Sequence, residues 1–156
     1  MTITKIRLSN FKSFKQLDVE LGKFNVFVGA NASGKSNFIQ IFKFLRDMTN
    51  HGLDNAISIQ GGIEYLRNIK ISQSEEFSLE VTTNKKFIRH LGLKQEINGI
   101  KIYETSYKIT IKFKNEGLGL EIVEDKIAQK CEFVHLERKS NSNDKKNYIK
   151  KVFGKG

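Results

Sequence analysis

Eight consecutive residues near the N-terminus have the types and the spacing of a phosphate-binding loop. They satisfy the pattern G-x-x-x-x-G-K-[ST] and are Gly29, Ala30, Asn31, Ala32, Ser33, Gly34, Lys35 and Ser36. The glycines let successive main-chain N–H groups point into one concavity, which suits an anion. Lys35 offers a positive charge to the β- and γ-phosphates, and Ser36 offers a hydroxyl ligand to Mg²⁺. The pattern therefore predicts a site for a nucleoside triphosphate, ATP with Mg²⁺.

The segments on either side of this loop have the periods that would position it. Phe24–Val28 is a short, mostly apolar run between glycines and predicts a buried strand. A helix is expected from the loop to about Met48, because apolar residues recur at the spacing of one helical face: Phe38, Ile41, Phe42 and Leu45. Phe44 lies off this face, which indicates a helix that is buried on more than one side. Strand, loop and helix in this order would place the loop at a helix N-terminus, where anions bind.

The rest of the sequence predicts mainly β structure, so the expected fold class is a mixed α/β (α+β) domain. The clearest strand is Tyr107–Phe113, in which apolar residues alternate with Lys and Thr, and a turn at 115–117 makes it a hairpin. A short helix is expected near Ile63–Asn68. Alternation or apolar content predicts further strands at Thr2–Leu8, Leu17–Leu21, Leu118–Val123, Lys130–Leu136 and, as an edge strand, Asn147–Phe153.

Composition favours a folded domain and excludes several classes of protein. The 156 residues are 38% hydrophobic and 28% charged, which is typical of one globular domain. One cysteine, Cys131, excludes an intramolecular disulfide. The sequence has no apolar run near the roughly 18 residues of a membrane helix and no signal peptide. We therefore expect a soluble cytoplasmic protein without a membrane partner.

The positive charge of the chain is concentrated at its C-terminal end. The formal net charge is +10, and the segment 138–156 carries +6 of it, from seven Lys and Arg residues and Asp144. Such a segment attracts nucleic-acid phosphates through counterion release, and the alternative is a lysine-rich surface that is only solvated. We predict a lobe at 1–137, with a β-rich region at about 77–137, followed by this basic segment, which is a tail or an edge strand.

The sequence resembles the amino-terminal part of ABC-class ATPases, a group that contains the SMC, Rad50, RecF and OLD-like proteins. The resemblance is carried by Lys5–Phe14 (K-I-R-L-S-N-F-K-S-F), by Phe24–Gly29 and by Gly29–Asn37. Ala32, where SMC and Rad50 proteins usually have Gly, favours the RecF/OLD-like "AAA family ATPase" branch, and so does Gly61–Leu66. The specific match covers about residues 1–70.

This resemblance implies a set of ligands, partners and site residues. Members bind ATP between two ATPase heads, so the implied partner is a second head in a homodimer or a missing C-terminal lobe. Phosphate binding is implied for 29–36 with Asn37, and metal binding for Ser36. Lys12 and Ser13 are expected near the nucleotide, although Lys12 could equally be a solvated lysine at a strand end. The intact enzyme is expected to hydrolyse ATP in a DNA-linked process of repair or defence.

Several motifs of that group are missing from this sequence, and no catalytic residue is assigned. We find no signature motif, no Walker B strand and no switch histidine. Glu124-Asp125 ends an apolar-rich run, but Gly119 and Glu121 interrupt it, which favours a half-exposed strand. Gln60 is a weak candidate for the glutamine that senses Mg²⁺. The remaining candidates lack neighbours at ligand spacing and favour packing or surface roles: His51, His90, His135 and Cys131.

These absences predict the first lobe of a larger ATPase that is inactive alone, whether as a truncated, split or naturally short form. The alternative from another class is a non-catalytic module that binds nucleic acid or protein in a nucleotide-dependent way. A compact P-loop kinase or GTPase is disfavoured, because the second half of the chain lacks alternating strands and helices.

Overall fold

A computed structural model of the chain describes residues 2–68, 70, 76–84, 86–90, 97–114, 119–138 and 148–155. Its helices are α1 (Lys35–His51), α2 (Leu53–Ile59) and α3 (Ile63–Leu66). Its strands are β1 (Ile3–Phe11), β2 (Phe14–Glu20), β3 (Phe77–Thr83), β4 (Phe87–His90), β5 (Ile97–Phe113), β6 (Leu120–Arg138) and β7 (Tyr148–Lys155). The strands form one sheet in the order β2-β1-β3-β5-β6-β7, and β4 pairs with β5. The mixed fold class is confirmed as a sheet-rich domain with few helices.

The chain divides into two compact units, and the strands β5 and β6 contribute to both. One unit comprises residues 1–3, 82–106 and 127–156, and the other comprises 4–81 and 107–126. In the first unit, β4 pairs antiparallel with β5, and β6 pairs antiparallel with β7. β7 ends the strand order, where the sequence predicts an edge strand. The second unit contains the glycine-rich loop and all three helices.

The first hairpin of the second unit, β1 with β2, has a buried face and a charged face. Ile6 and Leu8 alternate into the core, as the period-2 pattern of the sequence predicts, and Phe11 at the end of β1 is buried as well. On the other face, Lys5 and Arg7 of β1 form ion pairs with Asp18 of β2 at 3.1 and 3.0 Å. The register pairs Arg7 with Asp18 and Phe11 with Phe14, so that Lys12 and Ser13 form the turn.

The core of the second unit is centred on three aromatic side chains from three different elements. Phe11 of β1, Phe44 of α1 and Phe77 of β3 are almost fully buried, and their ring centroids lie 5.9 to 6.3 Å apart. Tilted and edge-on ring pairs of this kind add to the free energy gained by burying the rings. The cluster fixes α1, and therefore the loop that precedes it, against the sheet.

Helix α1 is longer than predicted and is rotated relative to the predicted apolar face. It ends at His51 rather than near Met48, and its buried residues are Phe38, Ile41, Phe44 and Asp47. Phe42 and Leu45 of the predicted face are only half-buried. The sheet offers Phe11 and Phe77 to the helix, and packing Phe44 against them turns the flanking residues towards the edge of the contact. The burial of Phe44 confirms that the helix buries more than one narrow face.

The predicted buried strand at Phe24–Val28 is wrong. The segment has no regular secondary structure, and the exposed fractions of Phe24, Val26 and Val28 are 84%, 67% and 87%. The physical reason is the lack of a neighbour: no main-chain hydrogen bond joins residues 24–28 to any other described residue. A strand exists only where a second strand accepts and donates these bonds. The glycine-rich loop is therefore followed by its helix but is not preceded by a strand.

Three further expectations have different outcomes. The short helix predicted near Ile63–Asn68 is α3, whereas α2 was not predicted, because Asn50 and Gly52 suggested an irregular stretch. The turn predicted at 115–117 and most of the basic segment, 139–147, lie outside the described residues. Within the described part of the chain, no helix is both long and apolar enough to cross a membrane.

Candidate functional site

The glycine-rich loop closes on itself in a way that favours glycine at two positions. The N–H of Ser33 donates to the carbonyl oxygen of Ala30 at 3.3 Å, which makes a tight turn. A Cβ atom on Gly29 would lie 2.8 Å from the Ser33 hydroxyl, so any other residue would force the Ser33 side chain to move. Gly34 has φ 96°, a left-handed conformation that side chains disfavour. The loop geometry thus explains both fixed glycines of the sequence pattern.

The N-terminus of α1 opens directly behind this loop and is left without a cap. Gly34 is the N-cap residue, no side chain caps the helix, and its first turn contains no acidic residue. The first main-chain bond of the helix runs from the N–H of Phe38 to the oxygen of Gly34 at 2.9 Å. The N–H groups before Phe38 therefore have no partner inside the helix. Together with the positive end of the helix dipole, they form a site that favours an anion.

The side chain of Lys35 folds back over the loop. Its Nζ donates to the carbonyl oxygens of Gly29 and Ala30 at 2.7 and 2.6 Å and lies 3.4 Å from the Ser33 hydroxyl. These acceptors are neutral, whereas phosphate oxygens are negatively charged and add a direct Coulomb attraction to the ammonium group. An arriving phosphate group is therefore able to draw the ammonium group away from the two carbonyls.

A concavity of about 320 Å³ lies at the loop and the first turn of α1. Its lining residues are Asn31, Ala32, Ser33, Gly34, Lys35, Ser36 and Asn37, and they include no carboxylate. Ser36 is exposed, so its hydroxyl is accessible to a metal ion. Mg²⁺ usually keeps several waters and takes few protein ligands when it binds with phosphates. One serine hydroxyl fits that mode of binding.

A larger groove of about 1030 Å³ lies elsewhere in the second unit, between α2, α3 and the start of β6. Its lining is mainly apolar, and its charged residues, Asp54 and Glu64, are both acidic. Such a surface repels phosphates. The smaller concavity at the glycine-rich loop is therefore the better candidate for an anion site, although the groove has the larger volume.

The β1–β2 turn lies against the loop. The Nδ2 of Asn37 donates to the Oγ of Ser13 at 2.8 Å, and a Cβ on Gly34 would lie 3.1 Å from that same oxygen and 3.2 Å from the ring of Phe14. Lys12 is held differently: its Nζ lies 5.7 Å from the ring centroid of Phe11, and partial burial lowers the pKa of its ammonium group. The structure thus brings Ser13 and Asn37 together at the loop and places Lys12 over the neighbouring ring.

The sequence as a whole matches one protein family, described as an AAA ATPase domain, over residues 1–154. The chain belongs to the AAA ATPase domain family. Among curated proteins it is similar to the DNA replication and repair protein RecF of Bacillus mycoides, with 29% identity over 77% of the chain and 33% of the relative. It is also similar to an ATP/GTP phosphatase of Helicobacter pylori, with 24% identity over 93% of the chain and 37% of the relative.

A shorter match is closer in sequence. The chromosome partition protein Smc of Methanocaldococcus jannaschii is 41% identical over 66 residues, which are 42% of the chain and 6% of the relative. The matches together confirm the resemblance to RecF-like and SMC-like ATPases of the ABC class and agree with nucleotide binding by the family. The chain spans little more than a third of the length of these relatives, or less.

The other residues that the sequence singled out are engaged elsewhere in this AAA ATPase domain. Glu124 lies on β6, and its carboxylate pairs with Lys108, which lowers the pKa of Glu124. This placement agrees with a half-exposed strand rather than a catalytic one. Gln60 follows the last turn of α2, and His51 is an exposed residue at the end of α1. Within the described part of the chain, no group of three His, Cys, Asp or Glu residues is arranged to hold a metal ion.

Sequence reasoning missed the way in which the β1–β2 turn is held beside the loop. Asn10 and Lys12 both have positive φ, 55° and 49°. The N–H of Lys12 donates to the oxygen of Leu66 at 2.9 Å, and the N–H of Asn68 donates to the Oδ1 of Asn10 at 2.9 Å. The asparagine of the run N-F-K-S-F was a signal, since Asn tolerates the left-handed conformation better than most residues. The partners Leu66 and Asn68 are more than 50 residues away and could not be found from the sequence.

Proposed function

We propose that this domain binds the triphosphate of ATP, with Mg²⁺, at a Walker A loop formed by residues 29–36. The observation that carries the proposal is the uncapped N-terminus of α1 behind the glycine-rich loop, with Lys35 in its first turn. Free amides, the helix dipole and one ammonium group converge on the same concavity. Ser36 is the residue that we assign to the metal ion. When it is bound, Mg²⁺ neutralises charge on the β- and γ-phosphates.

The experiment is a titration of the chain with a fluorescent ATP analogue and Mg²⁺. Lys35→Ala removes the one full positive charge in the loop, and we expect affinity to fall on the order of 100-fold, because charge-assisted hydrogen bonds contribute about 1.5–3 kcal/mol each. Lys43→Ala is the matched control, since Lys43 is an exposed lysine on the same helix. Equal affinity of the Lys35→Ala variant and the unsubstituted chain would contradict the proposal.

We further propose that the chain acts as the N-terminal lobe, 1–137, of a RecF/OLD-like ATPase that hydrolyses ATP in its intact form. Two findings support this proposal: the chain belongs to an ATPase family, and it spans only 33% and 37% of the length of two relatives. The exposed apolar segment 24–28 supports it too, because a run of exposed apolar side chains is typical of a surface that binds a partner. That partner is a C-terminal lobe or a second ATPase head.

Hydrolysis by the isolated chain is expected to stay near the uncatalysed rate. Phosphoryl transfer requires a positioned water and a group that orients it, and the residues that line the concavity include no carboxylate. A link to DNA rests on the basic segment 138–156, whose net charge of +6 suits a phosphate backbone. If turnover of the isolated chain were fast and Glu124→Gln abolished it, β6 would carry the catalytic carboxylate instead.

A nucleotide-dependent module without catalysis remains the second candidate function. The observation that favours it is the ion pair of Glu124 with Lys108. This pair engages the carboxylate in the segment whose sequence is most similar to a Walker B strand. The two candidates differ in one measurement, ATP turnover by this domain when it is combined with the lobe or second head that completes it.

A further inference from the structure

Asn37 occupies a position from which an asparagine can close off the anion site. It is the third residue of α1 after the N-cap Gly34. Glu and Gln at this position reach back to the main-chain N–H of the N-cap residue, and asparagine, which is one methylene shorter, competes readily for nearby main-chain groups. Such a contact would engage one of the amides that an arriving phosphate needs. In this structure no side chain caps α1, and Asn37 donates to Ser13 instead.

Ser13 is held firmly in the place where it receives this hydrogen bond. The β1–β2 turn has two residues with positive φ, Asn10 and Lys12. Lys12 is bonded to Leu66, the last residue of α3, and Asn10 to Asn68, which follows that helix. The turn also packs against Gly34, where a Cβ would lie 3.1 Å from the Ser13 hydroxyl. The turn that carries the acceptor for Asn37 is therefore bonded to residues outside the glycine-rich loop.

We infer that Ser13 is a positioning residue that holds the Asn37 side chain away from the N-terminus of α1 and so keeps the helix amides free for phosphate. This inference rests on the proposed function. It gives Asn37 a role different from that of a direct nucleotide ligand. It also gives the turn of the N-F-K-S-F run a role in nucleotide affinity that needs no contact with the nucleotide.

The test is a double-mutant cycle on the affinity for a fluorescent ATP analogue with Mg²⁺, using the chain and its variants Ser13→Ala, Ser13→Thr, Asn37→Ala and Ser13→Ala/Asn37→Ala. Ser13→Ala frees Asn37 to cap the helix, so the affinity for the ATP analogue should fall roughly tenfold, which is the equivalent of one hydrogen bond. The midpoint of thermal unfolding of the unliganded chain should not fall. Ser13→Thr keeps the hydroxyl and should stay within about twofold of the unsubstituted chain. In the Asn37→Ala background no cap can form, so Ser13→Ala should have little further effect.

Each result decides between the inference and its alternatives. Equal losses from Ser13→Ala in both backgrounds would mean that Ser13 acts without Asn37, and the inference would be wrong. Loss of affinity in Ser13→Thr equal to that in Ser13→Ala would exclude the hydroxyl as the cause. Binding that Lys35→Ala abolishes but Ser13→Ala leaves unchanged would overturn this inference alone. Absence of binding by the unsubstituted chain would overturn the proposed function and this inference together. Ser58→Ala is the control, because that exposed hydroxyl bonds within α2.

Discussion

The ring of Phe27 packs on the ring of Phe38, with centroids 4.4 Å apart and an interplanar angle of 38°. This contact joins the segment before the glycine-rich loop to the first turns of α1. It covers one side of the segment 24–28, while Phe24, Val26 and Val28 remain exposed. The segment thus has a supported face and an exposed apolar face, and its main chain forms no hydrogen bond with the main chain of any other described residue.

The exposed apolar face predicts association of the isolated chain. We expect the chain to self-associate with rising concentration and Val26→Lys/Val28→Lys to remain monomeric, because charges on an exposed edge oppose pairing. Sedimentation velocity over a concentration series measures this. Ile39→Lys is the control, since Ile39 is an apolar residue on α1 with 51% exposure whose main chain is already bonded in a helix. A chain that is monomeric at every concentration would contradict the prediction.

The backbone of Ala32 predicts a stabilising substitution inside the loop. Ala32 has φ 63°, and a left-handed conformation costs an L-residue roughly 1–2 kcal/mol. Ala32→Gly removes that cost but loses about 0.4–1 kcal/mol to the greater freedom of glycine in the unfolded chain. We therefore expect a net gain of up to about 1 kcal/mol in the free energy of unfolding, measured by urea denaturation.

A comparison within the chain shows whether the gain comes from the backbone. Ala56→Gly, in the helical conformation of α2, should destabilise the domain by about 1 kcal/mol or more. Ala32→Val should destabilise it as well, because β-branched residues tolerate positive φ poorly. If both glycine substitutions destabilised the domain equally, the strain at Ala32 would be negligible.

The ion pairs of Asp18 predict a specific acid dependence of stability. Hydrogen bonds from Lys5 and Arg7 lower the pKa of the Asp18 carboxyl group. Because this pKa is lower in the folded state, the unfolded chain binds more protons in the acid range. The contribution of the Asp18 ion pairs to the free energy of unfolding is therefore complete above the unfolded pKa of about 3.9 and is lost as pH falls through the folded pKa. Asp18→Asn should therefore be less stable than the unsubstituted chain at pH 7, and the two should converge well below pH 3.9.

Thermal unfolding of both proteins across the acid range tests this expectation. Lys15→Gln is a suitable control, since Lys15 is an exposed residue on the same hairpin. The effect at pH 7 should be small and should shrink with added salt, because the pair is exposed. A constant difference between the two proteins at all pH values would show that the ion pairs are not its source.

The basic segment predicts DNA binding that depends on salt and not on sequence. If about five of its lysines each neutralise a phosphate, the logarithm of the binding constant should fall with the logarithm of salt at a slope of roughly −4 to −5. Removing residues 145–156 should abolish most of that slope. The measurement is a salt series on two unrelated duplexes, with Lys15→Gln/Lys43→Gln as a control that removes exposed charge elsewhere. Unchanged binding after the deletion would place the DNA site on the ATPase lobe, and a strong preference for one duplex would indicate base readout.

The sequence by itself determined where the helix after the glycine-rich loop begins, and it predicted several of the strands. The types and spacing of residues 29–36 predict an anion site at a helix N-terminus, and α1 does begin at Lys35. Periodicity also predicted β1, β2 and the last part of β5, because a period-2 pattern follows from which side of a strand faces the core. These features are local, and a single stretch of residues is sufficient to specify them.

Only the tertiary structure decided which face of α1 is buried, what holds Ser13 beside Asn37, and that Phe24–Val28 is not a strand. Each of these depends on a neighbour that is distant in sequence: Phe77 for the helix face, and Leu66 and Asn68 for the turn. For Phe24–Val28 the neighbour that matters would be a second strand, and no described residue forms main-chain hydrogen bonds with this segment. The apolar content of a segment indicates its tendency to be buried. A segment becomes a strand only when its main chain forms hydrogen bonds with a second strand, and the local sequence does not specify that second strand.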